Sequence, residues 1–104
     1  MYQAVVFFDL DGTLMQNDKT VAASSIEAIQ RLKANHVLPV IATGRNVFEV
    51  RDIMKATGID SIVSANGSYV AYQGQFLSAH ELDKAVLTDI THFANRHHHA
   101  LAYY

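Results

Sequence analysis

The sequence predicts an α/β fold on a parallel sheet, and three observations lead there. Short apolar runs alternate with amphipathic stretches of helical period, the order that gives crossover connections between parallel strands. The first run, "AVVFF" (Ala4–Phe8), is apolar on both faces, as a strand covered on two sides should be. The three most polar, glycine-containing stretches, "DLDGT", "TGR" and "NG", each follow an apolar run. The carboxyl ends of strands are where open parallel sheets gather their ligands.

The elements follow in order. After the first strand, residues 9–23 are polar and irregular. "SSIEAIQRLKAN" reads as a helix with Ser24 and Glu27 as a capping box, Ile26, Ile29 and Leu32 on one face, and Asn35 as its C-terminal cap. "PVIA" (Pro39–Ala42) is a second strand, with Pro39 tolerable as its first residue. A second helix starts near Asn46, carries Val47, Val50, Met54 and Thr57 on one side, and stops at Gly58. "SIVS" (Ser61–Ser64) is a third strand. "SYVAY" and "QFLSA" alternate on either side of Gly74, which signals a hairpin. Asp83 caps a last helix with Val86, Leu87, Ile90, Phe93 and Ala94 on one face, and "ALAYY" resembles the start of a further strand.

Composition bounds what such a chain can do. At 104 residues and 50% hydrophobic content it is at most one domain, able to bury roughly 60–65% of its unfolded surface. A net charge of −2 gives no electrostatic reason to expect nucleic acid or an anionic membrane. Cysteine is absent, which excludes disulfides and cysteine-ligated zinc. No apolar run reaches the roughly 18 residues that span a bilayer, and no basic flank precedes an apolar stretch at the N-terminus. The expectation is a soluble protein, cytoplasmic by default.

The chemistry concentrates in "VVFFDLDGTL" (Val5–Leu14). In an extended segment, residues two apart project to one side, so Asp9 and Asp11 can address one small ligand while Leu10 points to the core. Gly12 lets the chain turn sharply. Two carboxylates this close need a cation or a shared proton. Mg²⁺, a hard ion that accepts a few carboxylate oxygens and keeps several waters, suits them.

"FFDLDGTL", "IATGR" and "SANGS" together resemble the first motifs of the haloacid dehalogenase-like (HAD) phosphatases, in particular Cof-type subclass IIB. D-x-D-G-T after a buried strand is a highly specific signal, strengthened by "TGR" after the next strand. The resemblance covers the whole chain. It implies a Rossmann-like HAD core over residues 1–80, incomplete, with the hairpin and residues 81–104 leading into a C2-type cap. It implies a Mg²⁺-dependent phosphohydrolase acting on a small phosphorylated metabolite, such as a sugar phosphate. Asp9 would be the nucleophile and Asp11 the general acid and then base. Mg²⁺ would be held by the Asp9 carboxylate and the Asp11 backbone carbonyl. Thr43 would bind a phosphoryl oxygen with the backbone at Gly44, and Arg45 and Asn66 would line the substrate side. The family's clamping lysine and distal acidic motif have no counterpart in these residues, so the isolated chain is expected to be inactive.

Topology gives an independent expectation. Right-handed crossovers in a sheet that grows outward from the first strand put both helices on one face. One of the pairs Val5/Phe7 and Val6/Phe8 should then be solvent-accessible, unless the helix from Asp83 folds back over it.

Simpler readings stand beside these. An EF-hand loop is excluded, because its sixth position is Leu14 and its twelfth Thr20. Asn66-Gly67 is a common hairpin pair and reads first as a turn. "HHH" (His97–His99) reads as a solvated helix end, since adjacent residues cannot all face one ion. A phosphomutase that keeps Asp9 but returns the phosphoryl group to a hydroxyl, and a non-catalytic fragment, remain as alternatives.

Overall fold

The computed structural model describes residues 1–104. A five-stranded sheet in the order β1-β2-β3-β4-β5 is formed by Ala4–Phe8, Val37–Ala42, Ile62–Ser64, Tyr69–Tyr72 and Gln75–Ala79. The first three strands run parallel; β4 lies antiparallel to β3 and forms a hairpin with β5. Three helices complete the chain: α1 (Ala23–Ala34), α2 (Arg51–Thr57) and α3 (Lys84–Arg96). The α/β architecture and the hairpin are as the sequence predicts.

The core lies on one face of the sheet. Register places Phe8, Ile41, Ile62 and Ala71 in one row across four strands. Ile41 and Ile62 are fully buried there, packed with Leu10, Ile29 of α1, Val50 and Ile59. Both crossover helices cover this face and touch each other. Gln30 and Lys33 of α1 donate to the carbonyls of Thr57 and Gly58 at the end of α2, placing a cation at the negative end of that short helix. Gly58 closes α2 in the left-handed conformation, φ +73°, that glycine adopts without strain.

On the opposite face Leu38 and Val40 of β2 are buried, but the edge strand β1 is open: Val5 is 48% and Phe7 61% exposed, while Val6 and Phe8 are half-buried. The expected solvent-accessible pair is therefore Val5/Phe7. α3 does not fold back over it: Val86, Ile90 and Phe93 are themselves exposed. Dimensions agree, since the chain extends 54 × 31 × 16 Å with a radius of gyration of 16.8 Å. A compact globule of this length has about 13 Å. The thinnest dimension is close to that of a sheet with one layer of helices.

Several local expectations are corrected. The first helix begins one residue before Ser24, with Ala22 at its N-cap and no side-chain cap, so Ser24 and Glu27 form no capping box. Asn35 does cap its C-terminus, donating its side-chain amide to the Arg31 carbonyl. The second strand begins at Val37, which makes Pro39 its third residue. The Ile41 and Thr43 N–H groups point toward β3, to Ser61 and Val63. Alternation puts the Pro39 nitrogen on the same side, where β3 pairing has not yet begun, so its missing N–H breaks no ladder. The second helical stretch is broken at Val50: a 3₁₀ turn over Val47–Glu49, closed by an Asn46–Glu49 capping box, precedes α2. The third strand is one residue shorter than read, and Leu101–Tyr104 pair with no strand. Asp83 caps α3 through the Ala85 N–H as read.

A one-sided core makes a direct statement about stability. Ile62→Ala should cost about 2–5 kcal/mol in urea unfolding of the chain. Phe7→Thr should cost less than about 1 kcal/mol, as at an exposed site. Equal losses at the two positions would show that the Val5/Phe7 face is packed.

Candidate functional site

The site lies at the carboxyl ends of β1, β2 and β3. Asp9 is the first residue beyond β1, where the extended chain ends. The turn starts at Leu10: its carbonyl accepts the Thr13 and Met15 N–H groups, while the Asp9 carbonyl accepts that of Leu14. Leu10 is fully buried and pins this turn to the core. Gly12 takes φ +77° within it. Because the turn begins so early, the strand-like projection of Asp9 and Asp11 to one side does not hold. Asp9 opens onto a small hollow of about 340 Å³ with Thr43, Gly44, Asn66 and Gly67. Asp11 opens onto an adjoining hollow of about 1010 Å³ with Arg45, Tyr69, His80 and Glu81. Gly44 and Asn66 border both.

The loops after β2 and β3 are tied together by backbone. The Asn66 N–H donates to the Thr43 carbonyl at 3.2 Å and the Ala65 N–H to the Arg45 carbonyl at 2.9 Å. Ala65, Asn66 and Gly67 all take positive φ, at 48°, 56° and 93°. For Ala65 this is a conformation that costs about 1–2 kcal/mol. Asn66-Gly67 is thus the turn of the β3–β4 hairpin, as read. It also meets the second loop: a Cβ added at Gly44 would stand 2.9 Å from the Asn66 side-chain oxygen and would push that side chain aside. Thr43 is buried, and its hydroxyl oxygen accepts the Arg45 N–H at 3.0 Å, leaving the hydroxyl hydrogen to donate elsewhere. One side chain thus supports the loop through its oxygen and keeps a hydrogen to donate.

Arg45 and Asp11 form a bidentate pair, Nε to Oδ2 at 2.9 Å and Nη2 to Oδ1 at 2.8 Å. The Arg45 hydrogen bonds hold the Asp11 carboxyl below the usual aspartate range and raise the guanidinium further. Asp9 has no such partner; one of its oxygens accepts the Leu10 N–H at 2.8 Å. All six candidate residues therefore gather at one end of the sheet, around two adjoining hollows. The contact that sequence reading did not assign is the Arg45–Asp11 pair. Its partners lie 34 positions apart, and no local pattern announces it.

The donor set fits a hard divalent cation. Asp9 presents a carboxylate oxygen without a protein cation beside it, and no backbone N–H takes the Asp11 carbonyl. No group of three or more histidine, cysteine or acidic side chains assembles, so these two oxygens are what the site offers. His97–His99 are exposed at the end of α3, and no helix is long and apolar enough to cross a membrane.

Residues 6–104 match the family profile of haloacid dehalogenase-like hydrolases. The chain belongs to that family. It is 28% identical over 103 residues to YkrA, a candidate phosphatase of Bacillus subtilis (strain 168), covering 99% of this chain and 40% of that protein. A crystal structure from Geobacillus kaustophilus HTA426 superposes with a TM-score of 0.87 at 40% identity, covering 94% of this chain and 38% of that one. The HAD subclass IIB sugar phosphatase BT4131 shares the fold, with a TM-score of 0.68 and 24% identity over 90% of this chain and 37% of its own. The chain thus spans about 40% of the length of the relatives it matches.

The pair implies a measurable shift. Asp11 carries a folded-state pKa below its unfolded value, so its contribution to stability is present above the unfolded pKa, about 3.9, and is lost as pH falls through the lower folded value. Arg45→Met should return the Asp11 midpoint upward toward the ordinary range, followed by ¹³C NMR of its carboxyl. An unchanged midpoint would show that Arg45 does not set it.

Proposed function

We propose that this chain carries the nucleophile-bearing part of a Mg²⁺-dependent phosphohydrolase acting on a small phosphorylated metabolite, such as a sugar phosphate. The observation that carries the reading is the partition of the two carboxylates between adjoining hollows. The small hollow, with Asp9, the Thr43 hydroxyl and the glycines of two loops, takes the phosphoryl group. The large one takes the leaving group, with Asp11 at its rim.

An Asp9 carboxylate oxygen attacks phosphorus as the bond to the leaving oxygen breaks, giving an aspartyl-phosphate. The leaving oxygen takes a proton from Asp11. In the second half, Asp11 accepts a proton from water, whose oxygen attacks phosphorus and releases phosphate and the Asp9 carboxylate. Thr43 and the Gly44 backbone stabilise phosphoryl charge. The pairing with Arg45 favours the Asp11 carboxylate, the form the second half uses; to donate in the first half Asp11 has to take up a proton and give up its bond to Arg45. The Asp9 carboxylate and the Asp11 carbonyl would hold Mg²⁺, which would neutralise phosphoryl charge when bound. The residues of the family that complete a site of this kind are not among these 104. The mature activity is therefore proposed for the protein at the full length of its relatives. A soluble, cytoplasmic enzyme is part of the same proposal, as are the core over residues 1–80 and the cap lead-in over 81–104.

In that full-length protein, Asp9→Asn should abolish release of free phosphate from a phosphate monoester and leave no acid-stable phosphoprotein on a quenched turnover. Asp11→Asn should reduce release nearly as far, and chelation by EDTA should stop it reversibly. Wild-type turnover by Asp9→Asn would overturn the covalent mechanism. Phosphoryl transfer to an added hydroxyl compound without net phosphate release would identify a phosphomutase instead.

A further inference from the structure

The Arg45–Asp11 pair is half-open to solvent, with the two side chains 32% and 58% exposed. Ion pairs so exposed add little to stability, so stability does not account for a two-point clamp between the first and second loops. Its geometric effect is specific. Both Asp11 oxygens are taken by Arg45, at 2.8 and 2.9 Å, while the carbonyl of the same residue is left without a backbone donor. Asp9, two positions earlier, keeps an oxygen with no cationic partner.

We propose that Arg45 is a positioning residue that decides which Asp11 oxygen meets the metal: by binding both carboxylate oxygens and compensating their charge it disfavours them as ligands and favours the backbone carbonyl. The inference rests on the metal-dependent reading above. Without the clamp, two carboxylates two residues apart would both be drawn into the shell of one divalent ion, as hard oxygen ligands are. The Asp11 carboxylate would then be spent on the cation instead of remaining at the rim of the larger hollow. Arg suits the task better than Lys, because its fork matches both oxygens of a carboxylate at once and stays charged throughout. Arg45 is itself held in place: its N–H binds the Thr43 hydroxyl and its carbonyl accepts from Ala65.

The test is binding of Mn²⁺ alone, as a probe for Mg²⁺, to the protein at the full length of its relatives, measured by water-proton relaxation, with Mg²⁺ titrations followed through the ¹³C carboxyl signals of Asp9 and Asp11. Arg45→Met should bind Mn²⁺ roughly tenfold more tightly, because a second carboxylate enters the shell. Its Asp11 carboxyl signal should move on Mg²⁺ addition, whereas in the wild type only that of Asp9 should move. Removing a positive charge would tighten binding on its own, so a cycle with Asp11→Asn separates the causes. Arg45→Met should gain little in the Asp11→Asn background under the clamp, and as much as in the wild type under charge alone. Arg45→Lys, which keeps the charge but not the fork, should show a partial Asp11 response. Equal gains in both backgrounds, or an Asp11 carboxyl signal that already responds to Mg²⁺ in the wild type, would overturn the clamp while leaving the metal reading intact. No Mn²⁺ binding by any variant would overturn both.

Discussion

The site depends on where residue 45 is held. Its N–H reaches back to the Thr43 hydroxyl, its carbonyl accepts from Ala65 in the third loop, and its side chain crosses to Asp11 in the first. Three loops that leave three parallel strands are thereby joined through one residue. Each of these loops is irregular; the first is also anchored by Leu10, Leu14 and Met15, all buried in the core. What keeps them together is hydrogen bonding between neighbours, anchored at one end by the fully buried Leu10 and at the other by the Ile62 row of the core. The strained backbone at Ala65 fits this arrangement: a left-handed alanine persists where surrounding bonds over-determine it.

Beneath the loops, the sheet supports them from one side. The row Phe8–Ile41–Ile62–Ala71 ends one residue short of Asp9 on the first strand and two residues short of Thr43 on the second. Tight packing of that row therefore fixes the starting points of both loops. The other face, with Val5 and Phe7 exposed, contributes nothing comparable. The functional end is thus placed mainly by the packed face, which is why the six residues converge even though the first strand is open on its other side.

How much of this the sequence could show follows from the range of each interaction. Given a sheet that grows outward from the first strand, a shared face for both crossover helices and exposure of one first-strand pair were legible, because side-chain period and crossover handedness are local or nearly universal rules; which pair it is, Val5/Phe7, came from the structure. The convergence of Asp9, Asp11, Thr43, Gly44, Arg45 and Asn66 was legible for the same reason, since each follows an apolar strand. The Ser24–Glu27 box failed because the pattern identifies a start without fixing its phase; the helix begins one residue before Ser24, which places that serine inside the first turn. Pro39 was misplaced because its tolerance depends on which flank of the strand has a partner, and register is a property of the pairing. The separation of Asp9 and Asp11 between two hollows was hidden by a turn that begins at Leu10 instead of Gly12.

That last difference matters most for chemistry. Two identical side chains, two residues apart, sit in opposite electrostatic settings. Asp11 meets a guanidinium through both oxygens, which stabilises its charge and fixes its direction. Asp9 meets a backbone N–H through one oxygen, which orients it while leaving the other oxygen free to bind or to attack. Under the proposed mechanism a nucleophile has to keep an oxygen unspent and a proton-transfer group has to stay off the cation. The structure meets the first condition at Asp9, with neutral backbone on one oxygen, and sets Asp11 apart with a fixed charge on both of its oxygens. The early turn and the Arg45 bond thus give two identical side chains different surroundings.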